Sequence, residues 1–411
     1  MKQPSGVFDL HSDESLRKGA QTMAVCNACR YCEEFCPVFP AMERRLSFAK
    51  GDLTYLANLC HNCGECLYSC QYAPPHEFGI NVPRTLAEIR VYSYEEYCWP
   101  RFLGAAFRHH GLLTSVGLAG LLSGILFAFT LWSGINPIQS PSEAGDFYSV
   151  ISHRAMVTLF GTVSLFVMVA LTVAIIRFWR DVEPASSNSL RPSAVVHALR
   201  DMLTLRHLHA DGANCTSAEE VRGPWRRWFH HCTFYGFMLC FASTSVAAFY
   251  HSVLGWSAPY GYTSLPVLLG VIGGIGLLIG PTGLFLLRQR RDPELRDSAQ
   301  SGLDVSFIAL LFLTSISGLL LLVLREHAAM GPLLIAHLGI VLALFVTLPY
   351  GKFVHGIYRA AALLKSAFEE ARESAADVPK REPAIAAPPL VPKPASVSTV
   401  SKRVASTAKA D

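Results

Sequence analysis

Eight of the chain's twelve cysteines lie between Cys26 and Cys70, in two runs of identical spacing. The first is Cys26-x2-Cys29-x2-Cys32-x3-Cys36, followed by Pro37; the second is Cys60-x2-Cys63-x2-Cys66-x3-Cys70, followed by Gln71. Thiolates at this spacing hold [4Fe–4S] clusters. Three sulfurs two residues apart wrap three irons of a cubane, and the fourth iron takes a more distant sulfur. In two-cluster ferredoxins the last cysteine of each run serves the other cluster. By that pattern Cys26, Cys29, Cys32 and Cys70 hold one cluster, and Cys60, Cys63, Cys66 and Cys36 the other. The alternative is a pair of zinc sites, but zinc takes its ligands from paired two-cysteine knuckles rather than runs of four. Cys98, Cys215, Cys232 and Cys240 match no ligand spacing and read as ordinary thiols. His61 sits inside the second run, either tuning that cluster or lying incidentally at the surface.

A second constellation is made of histidines in apolar segments, where ionisable residues are costly and functional by default. His337 and His355 are eighteen residues apart. On one continuous helix that is five turns, placing both rings on one face about 27 Å apart. His230 and His231 open an earlier apolar run and His251 closes it. Antiparallel, the two helices would set His355 against His230 or His231 at the inner surface and His337 against His251 at the outer one. The angular spacing from His251 favours His230 over His231. Two bis-histidine haem b sites would follow, with His153 as an alternative ligand. The plainer reading leaves these rings as amphipathic side chains at membrane interfaces.

The elements that must carry these residues are helical. At 411 residues, 51% hydrophobic and 16% charged, with a mean hydropathy of +0.32, the chain is too apolar for a soluble protein. Six spans are expected, at about 112–132, 153–177, 229–253, 264–287, 303–324 and 333–356, each near the ~20 residues that cross a bilayer. Basic residues gather between the second and third spans (Arg177, Arg180, Arg191, Arg200, Arg206, Arg222, Arg226, Arg227), between the fourth and fifth (Arg288, Arg290, Arg291, Arg296) and after the sixth. The positive-inside rule then makes this a multi-pass protein of a bacterial inner membrane with both termini and the cysteines in the cytoplasm. The polar N-terminus lacks an apolar signal core, and cysteines in a reducing compartment read as metal ligands. The expected fold is all-α. A cytoplasmic helical two-cluster ferredoxin domain (1–100) precedes a six-helix transmembrane cytochrome b-like bundle (101–360) and a largely disordered cytoplasmic tail (361–411).

The residues between the cysteine runs have helical spacing and resemble the all-α ferredoxin domain of succinate dehydrogenase and heterodisulfide reductase iron–sulfur subunits. The segment Leu348-Pro-Tyr-Gly-Lys-Phe-Val-His355, with His337 before it and Arg290-Arg-Asp-Pro upstream, resembles the respiratory nitrate reductase gamma subunit, whose last helix carries two haem-ligating histidines. A cytochrome of this kind joined to a two-cluster domain resembles the tricarballylate/citrate utilisation protein B family across nearly the whole chain. That resemblance implies a cytoplasmic flavin-dependent dehydrogenase acting on tricarballylate or a related tricarboxylate. This chain would re-oxidise the partner's flavin through two [4Fe–4S] clusters and haem b, and pass electrons to the membrane quinone pool. No Gly-x-Gly-x-x-Gly follows a strand, so no dehydrogenase activity is expected without a partner. Nucleic acid is not an expected partner. The rivals are a relay without haem, and an iron–sulfur redox sensor or gated transporter. The transporter is disfavoured because the spans lack a set of buried Asp, Glu and Lys.

Overall fold

A computed structural model describes residues 10–138, 145–183, 192–208 and 224–376. Among these residues the chain is helical throughout and forms no strand. The N-terminal helices are α1 (Leu10–Cys29), α2 (Val38–Glu43), α3 (Lys50–Leu59), α4 (Glu65–Tyr68) and α5 (Val82–Tyr97). Helices α3 and α5 each start where a side chain can take up a free backbone N–H. Asp52 accepts from Ala49 at 3.1 Å at the head of α3. Asn81 accepts from Arg84 at 3.1 Å at the head of α5, with Pro83 in its first turn. The faces turned inward carry Met23, Leu53, Leu56, Leu86 and Ile89, all buried, so α1 and α3 close on α5. Burying each such side chain contributes roughly 1.5–3 kcal/mol.

Then follow α6 (Arg101–Trp132), α7 (His153–Val182), α8 (Pro192–Thr204), α9 (Trp225–Ser252), α10 (Leu265–Gln289), α11 (Ser298–Val323), α12 (Met330–Thr347) and α13 (Val354–Ala376). Six stretches are long and apolar enough to cross a membrane: Gly111–Trp132, His153–Val182, Trp225–Ser252, Leu265–Gln289, Gln300–Val323 and Met330–Thr347. Leu121, Leu165, Met168, Ile272 and Leu286 point outward on them, as lipid-facing residues must. The Gly-rich run in α10 is a packing surface. A Cβ on Gly273 would stand 2.8 Å from the Cys240 nitrogen and the Gly236 oxygen, so α9 and α10 touch backbone to backbone.

The sixth apolar helix differs from its expected extent. It ends at Thr347 instead of running to 356, because Pro349 has no N–H to give and its ring clashes with the preceding turn. Tight turns replace the helix: Gly351 bonds to Thr347 O at 2.8 Å and His355 to Lys352 O at 3.1 Å. His337 and His355 therefore sit on two helices, and the single-face argument for them fails.

The expected tail also begins too early. The stretch 361–376 belongs to α13, whose Tyr358, Ala362 and Ser366 are buried. The N-terminal domain and α7 hold this face of α13 directly. Arg45 pairs with Glu369 at 2.7 Å and with Asp52 at 2.6 Å. Lys365 pairs with Glu183 at 3.0 Å. Tyr358 stacks on Phe178 at 4.9 Å. Met1–Ala371 form one compact unit and Arg372–Asp411 a second, of which 372–376 are described, as helix. The rest of the expected tail, and Cys215, lie outside the described residues.

Candidate metal centres

Cys26 and Cys29 end α1, Cys60 follows α3, and Cys66 lies in α4, so helix termini deliver the sulfurs and short loops deliver the rest. Asn62 and Gly64 take φ of 55° and 97°, the left-handed turn that bends the chain between Cys60 and Cys66. The runs cross. Cys26 has Cys70, Cys32 and Cys29 as its charged neighbours, and Cys70 has Cys29. Cys36, from the first run, has Cys60 and Cys63 as its main ones. Cys36, Cys60, Cys63 and Cys66 line one pocket with Val38, Phe39, Val82 and Pro83.

Burial, then neighbouring sulfurs, pushes Cys26 and Cys32 up to about 12. The same causes put Cys36 and Cys66 well above the ordinary thiol range. Sulfurs so disposed become thiolates when a cation shares the site, which fits a metal–sulfur cluster. Among the described residues no three His, Cys, Asp or Glu side chains are placed to hold a single metal ion.

Arginines from four elements converge on the loop after Cys60. Arg90 of α5 donates to Ala57 O at 2.8 Å and Cys60 O at 2.6 Å. Arg359 of α13 also donates to Cys60 O. Arg226 of α9 donates to His61 O at 2.8 Å and Asn62 O at 3.1 Å. Arg291, after α10, donates to Asn62 O at 2.5 Å. His61 is buried, against the surface reading. Burial, with Arg359 and Arg226 next, holds its ring well below the usual range, so it is neutral.

The inner histidines meet in the arrangement expected, and the outer ones pair differently. His230 and His355 face each other with ring centroids 6.0 Å apart, inclined at 70°. The His355 Nδ1–H donates to Lys352 O at 2.5 Å, leaving Nε2 as the nitrogen free to ligate. Burial, then Lys352 and His230, keeps this ring well below the usual range and hence neutral. Two imidazoles sharing one iron at about 2 Å each have centroids about 6 Å apart, which this pair matches. His231 instead stacks on Tyr235 at 5.6 Å.

At the other end His251 lies against His153, the alternative ligand, at 3.7 Å, with Tyr148 5.1 Å away. Those rings touch, and an iron does not fit between them as they stand. His337 does not meet His251. It hydrogen-bonds Ser317 of α11 at 2.9 Å. The reason is topological: α12 packs on α6, α11 and α7, whereas α9 packs on α10. Sequence reasoning missed the arginine grip and the buried Lys352–Asp304 pair at 2.8 Å. Arg226, Arg291 and Arg359 were visible only as loop charge.

The chain matches the family model described as citrate utilization protein B over residues 108–376. It matches the model of the Fer4-like domain of citrate utilization protein B over residues 19–96. It is 49% identical over 359 residues, 87% of this chain and 93% of the relative, to a citrate utilization protein B of Escherichia coli. No solved structure matches it.

Proposed function

Because this chain belongs to the citrate utilization protein B family, we propose that it is the membrane electron-transfer partner of a tricarboxylate-oxidising flavoprotein. It takes electrons from the reduced flavin of a cytoplasmic dehydrogenase for tricarballylate or a related tricarboxylate, and delivers them to quinone. Cys26, Cys29, Cys32 and Cys70 hold one [4Fe–4S] cluster; Cys60, Cys63, Cys66 and Cys36 hold the other. His230 and His355 hold haem b. When bound, these groups are one-electron carriers, which lets the two electrons of a flavin hydroquinone leave singly.

The chain's own residues do the positioning. The Lys352 carbonyl fixes the tautomer of His355. Arg226 and Arg359 tie the Cys60 loop to the two helices that carry His230 and His355. That tie is the observation on which the reading rests, because a relay needs its centres adjacent. The touching outer rings favour one haem site over two. Inner-membrane residence with both termini cytoplasmic is supported by Arg226, Arg291 and Arg359 lying at the cysteine end of the helices.

Anaerobically purified chain is expected to carry about eight non-haem irons with matching acid-labile sulfide. Its dithionite-reduced minus oxidised spectrum should show sharp α and Soret bands over broad cluster bleaching. Zinc without iron or sulfide, or oxidation of tricarballylate by the chain alone, would sink the proposal.

A further inference from the structure

We infer that Arg90, Arg226, Arg291 and Arg359 make the centre held by Cys60, Cys63, Cys66 and Cys36 the higher-potential of the two, so that electrons come to rest beside the His230–His355 pair. The inference rests on the cluster assignment proposed above and adds to it which way electrons run.

One cation suffices to cap a helix C-terminus. Here guanidiniums from α5, α9, α13 and the segment after α10 reach the carbonyls of Cys60, His61 and Asn62. Three of those elements belong to the membrane half of the chain, so the charge is brought to this loop from a distance in sequence. The acidic side chains nearby offset it only in part, with Asp292 and Glu65 set against four guanidiniums. Asp304 is paired with Lys352 at 2.8 Å, and Asp292 accepts from Tyr68 at 3.1 Å. Glu65, buried in α4, is the carboxylate closest in sequence to Cys63 and Cys66. The loop around the first centre differs: exposed Arg30 stands with exposed Glu33 and Glu34, and Glu77 is exposed after Cys70.

Reduction adds a negative charge. Burial of the Cys60 side opposes that addition, and fixed cations at close range favour it more strongly in a low dielectric. The favoured step moves one electron from the Cys26 side, which is oxidised, to the Cys60 side, which is reduced, with no bond or proton exchanged. Flavin hydroquinone is the ultimate reductant and quinone the oxidant.

The test is a redox titration of the full-length, detergent-solubilised chain, followed by low-temperature electron paramagnetic resonance, with iron and sulfide measured on each sample. Wild type should show two cluster waves. Arg226→Gln should lower only the upper wave, by about tenfold in the reduction equilibrium, which is about 59 mV for one electron. Arg226→Lys should restore it. Arg291→Gln, in a loop instead of a helix, should act in the same direction and guards against a folding failure of the first variant. Fully loaded variants with both waves unmoved, or with only the lower wave moved, overturn the inference while the cluster assignment stands. A wild type without iron and sulfide overturns the assignment, and the inference with it.

Discussion

At His355 the hydrogen bond from Nδ1 to Lys352 O leaves Nε2 as the ring nitrogen open to a ligand, and it exists because the helix breaks at Pro349. Lys352 lies in the turn that follows, where its carbonyl is not committed to an i→i+4 helical bond. His230 supplies the second ring 6.0 Å away. His355→Ala and His230→Ala should therefore each abolish the b-type α band and the haem measured as pyridine haemochrome. His231→Ala, whose ring rests on Tyr235, should keep both. Retention of haem in the His355 and His230 variants would reject the pair. At this scale the cysteines were legible because their ligand spacing is local. The outer histidine partners were not, because pairing depends on which helices are neighbours. His230 and His355 were found on an argument that assumed one straight helix, which the structure does not have.

The helices were legible as apolar runs of sufficient length, and five of them start and stop within a few residues of where hydropathy puts them. Their ends were less so, since Pro349 is tolerated in many membrane helices yet ends this one. The tail boundary was misplaced for a related reason. The amphipathic face of α13, with Tyr358, Ala362 and Ser366 inward, gains its meaning only once α5 and α7 are there to receive it. Gly273 makes the same point about packing. Its missing side chain is needed because Cys240 and Gly236 backbone atoms stand 2.8 Å from where a Cβ would be. Gly273→Val should force α9 and α10 apart and destabilise the bundle by about 1–3 kcal/mol or more, read as a lower midpoint of thermal unfolding in detergent. Since His230 rides on α9, haem loss should accompany it. An unchanged midpoint would mean the two helices are free to separate at no cost.

Across the described residues, basic charge and the candidate cofactor ligands Cys60, His230 and His355 fall at the same end of the helices. Arg226, Arg291 and Arg359 are the basic residues that the positive-inside rule assigns to the cytoplasm, and they are also the ones that grip Cys60–Asn62. Of the arginines that break the rule at the opposite end, such as Arg154 and Arg325, the second is accounted for locally. Its guanidinium lies 3.8 Å over the Tyr262 ring and donates to Tyr260 O at 2.8 Å, so it is satisfied where it stands. The reverse orientation would put eight closely spaced cysteines in an oxidising compartment, where disulfides compete with metal. Alkaline phosphatase fused after Ser133 or after Leu254 should thus be active, and a green fluorescent protein fused after Ala376 should fluoresce in intact cells. Inactive phosphatase at both sites with a dark C-terminal fusion would invert the molecule. The cysteine centres would then face away from any cytoplasmic flavoprotein, and the electron donor would have to be sought on the other side of the membrane.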